Sequence, residues 1–312
     1  MEIIHEEDKI ASIGASVLTV GSYDGLHRGH QKLLTTVVEH ADLFKLVSVC
    51  VTFDPHPRSV LNTEIEKKNL IMSLNQKLAI IDSLGIDYVY IIKFSKKISK
   101  LSAEDFMTKI IIPNFNPQKI ISGYNHHFGK NREGSPSFLK SFGAENGIDV
   151  IFLKPVFDNK TEISSTKIRK FLRDGFIQKA NYALGTYFSI YGEVINGAGR
   201  GKSLSFPTAN INPNEKKQLL PKKGVYLVRG RINGLNAFGM CNIGVRPTFG
   251  ESKLVMEIHF FHNNVMNLYG KKVRLEFLER IRDEKKFHSS KDLIKQLIID
   301  KQICLEISNK YK

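Results

Sequence analysis

The hydrophobic pattern of this chain changes once along its length, and the change predicts two regions of different fold class. Up to about Val156, short β-branched runs alternate with segments of helical periodicity, which predicts a parallel sheet with helices on both faces. We therefore expect an α/β domain over residues 1–185. The strands predicted there are VLTV, KLVSVCVTF, YVYIIKF, KIISG and DVIFLKPV, and two of the helices are SLNQKLAIIDSLG and SAEDFMTKII.

The second region has a pattern of strands and turns. Residues 164–185 first predict two short helices that end at Gly185, and short strands separated by turns then predict a small antiparallel β-barrel over residues 186–312. A final amphipathic stretch predicts a C-terminal helix with Ser289 or Ser290 as its N-cap. The predicted strands are YFSIYGEVI, GVYLVRGRI, NAFGMCNIG, KLVMEIHFF and KKVRLEFLERI.

Length and composition exclude several classes of protein. A chain of 312 residues is longer than one hydrophobic core usually organises, which favours two domains. It contains no run of about 18 apolar residues and no basic, apolar signal peptide, so we expect a cytoplasmic protein without a membrane span. The odd number of cysteines (Cys50, Cys241 and Cys304) predicts three buried thiols rather than a disulfide framework or a zinc site.

The net charge of +15, from 46 Lys and Arg against 31 Asp and Glu, has two interpretations. A field of this sign attracts phosphate-bearing ligands, nucleic acid or anionic membranes. Lysine-rich turns exposed to solvent would produce the same total. The charge alone leaves both interpretations open.

The stretch GSYDGLHRGH, residues 21–30, combines features of a phosphate-binding turn. Gly21 and Gly25 follow a predicted strand, and His27 and His30 enter a predicted helix. In an open α/β sheet such a turn lets the backbone approach a phosphate at a helix N-terminus. A spacing of three places both imidazoles on one helix face, where they could donate hydrogen bonds to a phosphate chain. Two histidines are too few for a metal site, although ordinary buried or surface histidines remain an alternative.

A second glycine-rich stretch, NGAGRGKS at residues 196–203, resembles a P-loop only superficially. The P-loop pattern requires glycine at Asn196 and a helix after Ser203. Pro207 follows instead and is incompatible with a helix interior. We therefore reject a P-loop.

The segment from His27 to His30 resembles the His-x-Gly-His signature of the nucleotidyltransferase superfamily, which includes class I aminoacyl-tRNA synthetases. Six further motifs, in order and across nearly the whole chain, resemble those of the bacterial bifunctional riboflavin kinase/FAD synthetase family. These motifs are VTFDPHPRSV, GYNHHFGKNREGS, ISSTKIRKFL, SFPTANI, CNIGVRPTF and MEIHFFH.

The resemblance implies that the first domain is a Rossmann-like nucleotidyltransferase that adenylylates FMN with ATP, yielding FAD and pyrophosphate. His27 and His30 are then its catalytic residues. The Ser-Ser-Thr segment is implied to bind ATP, and an ordinary helix cap is the alternative interpretation of that segment. The implied ATP-binding residues are Gly21, Ser22, Asp24, Gly25, His27, His30, Ser164, Ser165, Thr166 and Arg169. The implied pocket for FMN or the nucleotide contains Phe53, Asp54, Pro55, His56, Gly123, Asn125 and Phe128.

For the second domain the resemblance implies a riboflavin kinase barrel that phosphorylates the ribityl hydroxyl with ATP. Glu257 is the implied base, and Thr208 and Asn210 are the implied Mg²⁺ ligands, although a glutamate in an alternating strand can also simply face water. The implied ATP-binding residues are Gly199, Lys202, Pro207, Thr208 and Asn210. The implied flavin-binding residues are Asn242, Gly244, Arg282 and Glu284.

The chain departs from the family pattern at four positions, which are Ser22, His126, Asn196 and Ser205. The family usually has an aromatic ring where this chain has His126, so we expect adenylyl transfer to be the weaker activity. The expected partners are small molecules, with neither nucleic acid nor membrane. Three alternatives are a kinase with weak or lost adenylyltransferase activity, a non-catalytic flavin-binding protein, and a tRNA-handling protein. The last lacks a Lys-Met-Ser-Lys-Ser segment and a strip of stacking aromatics.

Overall fold

The structure is a computed structural model that describes residues 1–8, 13–61, 70–195, 206–232, 235–248, 251–261 and 269–312. The chain divides into two compact units, Met1–Ser165 and Thr166–Lys312. The division lies 20 residues before the boundary at 185/186 expected from the sequence, which stays a prediction. Among the described residues, no helix is both long and apolar enough to cross a membrane.

The first unit contains a six-stranded sheet in which every pairing is parallel. Its strands are β1 (Glu2–His5), β2 (Ser16–Val20), β3 (Val47–Asp54), β4 (Tyr88–Lys93), β5 (Pro117–Gly123) and β6 (Asp149–Leu153), in the spatial order β1-β4-β3-β2-β5-β6. This confirms the predicted α/β class. The central strands are buried along most of their length because helices cover both faces. The sequence missed β1, which is short and mostly exposed.

Helices cover the two faces of this sheet. They are α1 (Arg28–Phe44), α2 (Pro57–Leu61), α3 (Leu74–Ser83), α4 (Ala103–Phe106), α5 (Ile112–Phe115) and α6 (Pro136–Asn146). One apolar layer joins Leu34 of α1 and Ile81 of α3 to strand residues, and the other layer includes Phe106 and Phe142. Ser73 caps α3 through a capping box with Gln76. The hairpin of β7 (Phe157–Asp158) and β8 (Thr161–Glu162) lies near the end of the unit.

The order of the strands creates a topological switch point between β2 and β5. From β2 the chain runs through β3 and β4 to one side of the sheet, whereas β5 and β6 lie on the other side. Open α/β sheets bind ligands at such a point, beyond the carboxyl ends of the strands. Gly21 directly follows β2 and Gly123 ends β5, so both lie at this edge.

The second unit contains a closed antiparallel barrel. Helix α7 (Ser165–Asp174) starts at the last residue of the first unit, and α8 (Ile177–Leu184) follows. The barrel strands are β9 (Ser189–Ile195), β10 (Ala209–Pro213), β11 (Gly224–Ile232), β12 (Leu235–Thr248), β13 (Glu251–Phe260) and β14 (Lys272–Arg282), in the closed order β10-β13-β12-β11-β14-β9. The predicted barrel is confirmed. The sequence missed β10, a short strand that follows Pro207.

Apolar side chains fill the barrel, and a C-terminal helix packs against its wall. Tyr226, Ile258 and Phe277 are fully buried. The predicted C-terminal helix is α9 (Ser290–Ser308), and Ser289 is its N-cap because its hydroxyl accepts the Asp292 N–H. Cys50, Cys241 and Cys304 are all buried free thiols, as predicted.

Candidate active sites

The turn after β2 has a tightly constrained backbone. Gly25 has φ +85°, and Tyr23 and Leu26 also adopt positive φ, at 47° and 35°. These are left-handed conformations that favour glycine. Gly21 donates its N–H to the Val51 carbonyl at 3.0 Å, and a Cβ at Gly21 would lie 2.6 Å from the Tyr23 ring. The two glycines of the predicted phosphate-binding turn are therefore required by the geometry.

His27 and His30 lie together at the N-terminus of α1. His27 is the N-cap, and its Nδ1 accepts the His30 backbone N–H at 3.4 Å. The two imidazole rings stack with a centroid separation of 3.7 Å, and the Tyr23 ring meets His30 edge-on at 5.3 Å. Burial, followed by the nearby His27, Lys77 and His126, lowers the pKa of His30 well below its ordinary value. His30 is therefore neutral at pH 7.

Lys77 of α3 is hydrogen-bonded to the turn after β2. Its side chain is buried, and its ammonium donates hydrogen bonds to the Ser22 carbonyl at 2.9 Å and to Thr52 Oγ1 at 3.1 Å. Burial lowers the Lys77 pKa, while the neighbouring Asp24, Cys50 and Asp54 raise it. The lysine thus ties the turn after β2 to the end of β3.

Asp24 and Ser165, both predicted to bind ATP, are in contact. The Asp24 carboxylate accepts the Ile71 N–H at 3.0 and 3.2 Å, and the Asp24 carbonyl accepts the Ser165 hydroxyl at 2.8 Å. The start of the Ser-Ser-Thr segment is therefore at the glycine-rich turn, with Ser164 directly before it. Thr166 and Arg169 lie further along α7, in the second unit, where Arg169 is buried.

An aromatic cluster lies at the carboxyl edge of the sheet, where the sequence predicts the FMN or nucleotide pocket. Phe53 packs against Phe94 at 5.6 Å and Phe106 at 6.5 Å, and Phe106 packs against Phe128 at 5.5 Å. The predicted pocket residues that follow the ends of β3 and β5 are Asp54, Pro55, His56, Gly123 and Asn125. The structure therefore brings the predicted pocket to the same edge as the histidines.

His126 follows β5 within this cluster. Its backbone N–H donates to the Gly123 carbonyl at 3.1 Å. Its ring lies nearly parallel to that of Phe128, with a centroid separation of 6.0 Å. Burial, together with the nearby His127 and Arg132, lowers the His126 pKa to about 4. The imidazole thus occupies the place that an aromatic ring would fill, and it is neutral at pH 7.

In the barrel, three predicted residues from three adjacent strands face one another. Glu257 on β13 is in register with Asn210 on β10 and with Asn242 on β12. Residues directly opposite each other in antiparallel strands share a face of the sheet. Met256 and Ile258 are buried in the barrel, so the alternation of side chains places Glu257 on the other side of the wall. The predicted base therefore lies between two predicted ligand-binding amides.

The predicted flavin contacts converge only in part. Glu284 approaches Gly244 so closely that a Cβ there would collide with its carboxylate, and the Asn242 side chain would lie 3.2 Å from that Cβ. Arg282 instead makes a two-point ion pair with the fully buried Asp300 of α9, at 2.7 to 3.0 Å, and its remaining nitrogen donates to the Asp283 carbonyl at 2.9 Å. Arg282 is therefore paired with Asp300 in the structure, and its contact with flavin stays a prediction.

The segment that enters β10 is held by a residue the sequence did not single out. His259 on β13 hydrogen-bonds the Pro207 carbonyl through Nδ1 at 2.9 Å and meets the Phe206 ring edge-on at 5.1 Å. This contact positions the backbone just before Thr208. The predicted residues Gly199 and Lys202, the rejected P-loop and the departures Asn196 and Ser205 lie outside the described residues.

The sequence contains a signal for Lys77 but only a weak one for His259. Lys77 lies three residues after Leu74 and four before Ile81, so a charged residue interrupts the apolar face of α3. His259 has the same parity in its strand as Glu257, but no pattern indicates its contact with Pro207. Contacts of that kind depend on the pairing of distant strands.

Comparisons with known protein families also divide the chain into two parts. The family model described as FAD synthetase matches residues 9–167, and that described as riboflavin kinase matches residues 184–308. The chain is 35% identical over 92% of its length to the bifunctional riboflavin kinase/FMN adenylyltransferase of Bacillus subtilis (strain 168), covering 90% of that protein. It is 37% identical over 99% of its length to the protein so named in Buchnera aphidicola subsp. Schizaphis graminum (strain Sg), covering 97% of it.

One solved structure is similar over almost the full length. A crystal structure described as a macrolide-efflux protein from Streptococcus pneumoniae has a TM-score of 0.87 at 29% identity, covering 97% of this chain and 98% of that one. The similarity supports the fold.

Proposed function

The chain belongs to the family of bifunctional riboflavin kinase/FMN adenylyltransferases, and from this membership we propose which residues carry its two reactions. It is an enzyme with an FAD synthetase domain and a riboflavin kinase domain. The substrates that fit these activities are riboflavin, FMN and ATP. The first product, FMN, is the second substrate.

We propose that adenylyl transfer takes place at the turn after β2. An FMN phosphate oxygen attacks the α-phosphorus of ATP, and the bond from that phosphorus to the bridging oxygen breaks, so that pyrophosphate leaves with the electron pair. FMN already presents an oxyanion, so no general base is needed. The imidazoles of His27 and His30 supply N–H donors for phosphate oxygens, and such donors stabilise the charge of the transition state. The roles of Ser164, Ser165, Thr166 and Arg169 stay predictions.

The kinase reaction also needs a proton acceptor, because its nucleophile is a hydroxyl. The ribityl hydroxyl attacks the γ-phosphorus of ATP, its proton must leave, and ADP departs. We propose that the Glu257 carboxylate orients this hydroxyl and accepts the proton. The observation that carries the proposal is the register of Glu257 with Asn210 and Asn242 across three strands.

The donors beside Glu257 fit a hard cation. Thr208 offers a hydroxyl and Asn210 an amide oxygen, and Mg²⁺ prefers oxygen ligands of this kind. When bound, Mg²⁺ neutralises charge on the phosphates. His259 hydrogen-bonds the Pro207 carbonyl, directly before Thr208 in the chain, and this contact supports the proposed role of the segment.

One incubation tests the assignment. The protein is mixed with riboflavin, ATP and Mg²⁺, and the flavins are separated by chromatography. We expect FMN first and then FAD, with one pyrophosphate released for each FAD. FMN without FAD would support a kinase that has lost adenylyl transfer. No flavin product would contradict the assignment, and steeply salt-dependent RNA binding would then favour a tRNA-handling protein.

A further inference from the structure

The feature that the proposed mechanism leaves unused is the imidazole of His126. It lies three residues beyond Gly123, at the end of β5, and β5 is the direct neighbour of β2. His27 and His30 follow β2 at the same carboxyl edge. The topology thus brings a third histidine to the switch point, from a part of the chain nearly 100 residues away.

The orientation of this ring is held by the protein. The backbone hydrogen bond to Gly123 fixes the turn, and the Phe128 ring lies nearly parallel to the imidazole, with 18° between the planes. Phe128 in turn packs against Phe106 and Phe138. An imidazole held by this cluster is preorganised rather than free to turn toward solvent.

Two imidazole nitrogens in this region lack partners. Within the part of the chain that the structure describes, His126 Nε2 and His30 Nδ1 are both buried and make no hydrogen bond. His126 is also close enough to lower the pKa of His30. A buried polar atom without a partner costs free energy, so two of them at a ligand-binding edge indicate a ligand that supplies acceptors.

We propose that His126 is a third phosphate-binding imidazole of the adenylyl-transfer site, and that its Nε2–H donates a hydrogen bond to a phosphate oxygen of ATP or of FMN. Phosphate oxygens only accept, so the neutral ring serves in the tautomer protonated at Nε2. This inference rests on the proposed adenylyl transfer. It differs from the expectation from the sequence that a histidine in place of an aromatic ring weakens adenylyl transfer.

The test compares His126→Phe with His126→Ala and His126→Gln. Phenylalanine keeps the aromatic area and removes the donor, alanine removes both, and glutamine retains an N–H. Loss of one hydrogen bond to a charged group lowers kcat/KM for FAD formation by about 10- to 100-fold. We expect that loss in the Phe and Ala variants and recovery of much of it in the Gln variant. FMN formation by the same protein samples reports whether each variant is folded.

Binding measurements identify which phosphate is contacted. FMN binding is followed by flavin fluorescence, and binding of a non-hydrolysable ATP analogue by calorimetry, each without the other substrate. Weaker binding of the analogue assigns the contact to ATP, and weaker binding of FMN assigns it to FMN. Unchanged affinity for both, with unchanged kcat/KM, would overturn the proposal.

His40→Phe is the matched control. His40 also has a buried nitrogen without a described partner and stacks on a phenylalanine, Phe44, at 6.1 Å. It lies ten residues after His30 on α1, roughly 15 Å along the helix from the site. We expect no change in FAD formation in this variant. Equal losses in His40→Phe and His126→Phe would overturn the role of His126, whereas a wild-type protein that makes no FAD would overturn the proposed adenylyl transfer itself.

Discussion

The imidazole rings of His27 and His30 stack with their centroids 3.7 Å apart and their planes at 20°. Two positive charges at such a distance would repel by about 4 kcal/mol at the effective dielectric constant near a protein surface. The stack therefore disfavours the state in which both rings are charged, in agreement with the lowered pKa of His30. For the proposed adenylyl transfer, we therefore expect His30 to bind phosphate as a neutral hydrogen-bond donor rather than as a cation.

If His30 stabilises charge in the transition state, His30→Ala will lower the rate of FAD formation by about 10²- to 10³-fold, as the loss of one preorganised donor typically does. FMN formation should be unchanged because the kinase residues are in the barrel. The two rates are measured separately, with FMN or with riboflavin as the starting flavin. Equal loss of both rates would indicate misfolding instead of a catalytic role.

Removing the carboxylate of Glu257 should lower FMN formation and leave FAD formation unchanged, the reverse of the effect expected for His30→Ala. Glu257→Gln keeps the volume and a hydrogen-bonding group, so we expect riboflavin phosphorylation to fall by about 10²- to 10⁴-fold. Adenylylation of supplied FMN should continue at the wild-type rate. Kinase activity within a factor of two of wild type would exclude Glu257 as the base.

Lys77→Met should uncouple the turn after β2 from the end of β3. The substitution leaves the Ser22 carbonyl and the buried Thr52 hydroxyl without their donor, at a cost of about 1–3 kcal/mol for each buried group. We expect a lower free energy of unfolding and a lower rate of FAD formation, measured by urea denaturation and flavin chromatography. Lys32→Met, an exposed lysine on α1, is the control and should change neither quantity.

Acidification should destabilise the first unit through His126. Its pKa is about 4 in the folded protein against 6.5 for an ordinary histidine, so between these values the unfolded chain binds more protons than the folded one. The stabilisation is complete above pH 6.5 and is lost as the pH falls toward 4. His30 acts in the same direction. Burial is the main cause of the lowered His126 pKa, and the neighbouring His127 and Arg132 lower it further.

Urea unfolding at pH 7.5 and pH 5.0 measures this dependence. We expect His126→Phe to lose less stability between the two pH values than the wild-type protein does. A pH dependence identical to that of the wild type would mean that the pKa of His126 is the same in the folded and the unfolded chain.

The start of the kinase fragment should decide its stability. Helix α8 packs on the barrel, where Asn181 donates to the Phe277 carbonyl at 2.8 Å and accepts the Phe188 N–H at 2.7 Å. Ile177, Ala180 and Leu184 of the same helix are buried. We therefore expect residues 166–312 to unfold at a higher temperature than residues 186–312, with FMN and no FAD formed by either. Equal melting temperatures would favour the boundary at 185/186.

Local patterns in the sequence were sufficient to predict the elements whose formation depends on neighbouring residues. Five of the six strands of the parallel sheet, five of the six barrel strands and the cap at Ser289 were predicted because periodicity and capping act within a few residues. The glycine and histidine pattern after β2 predicted a phosphate-binding turn for the same reason, and the structure brings the two histidines together there. The order of the motifs, rather than any single one, identified the family.

Only the tertiary structure decided which distant residues meet. The pairing of Arg282 with Asp300, the Lys77 contacts to Ser22 and Thr52, and the short strands β1 and β10 all depend on partners far along the chain. The register of Glu257 between two asparagines is likewise a property of strand pairing. His126 shows the physical reason most directly: in sequence it is a histidine in place of an aromatic residue, and its burial, its low pKa and its unpartnered nitrogen arise from the surroundings that folding assembles.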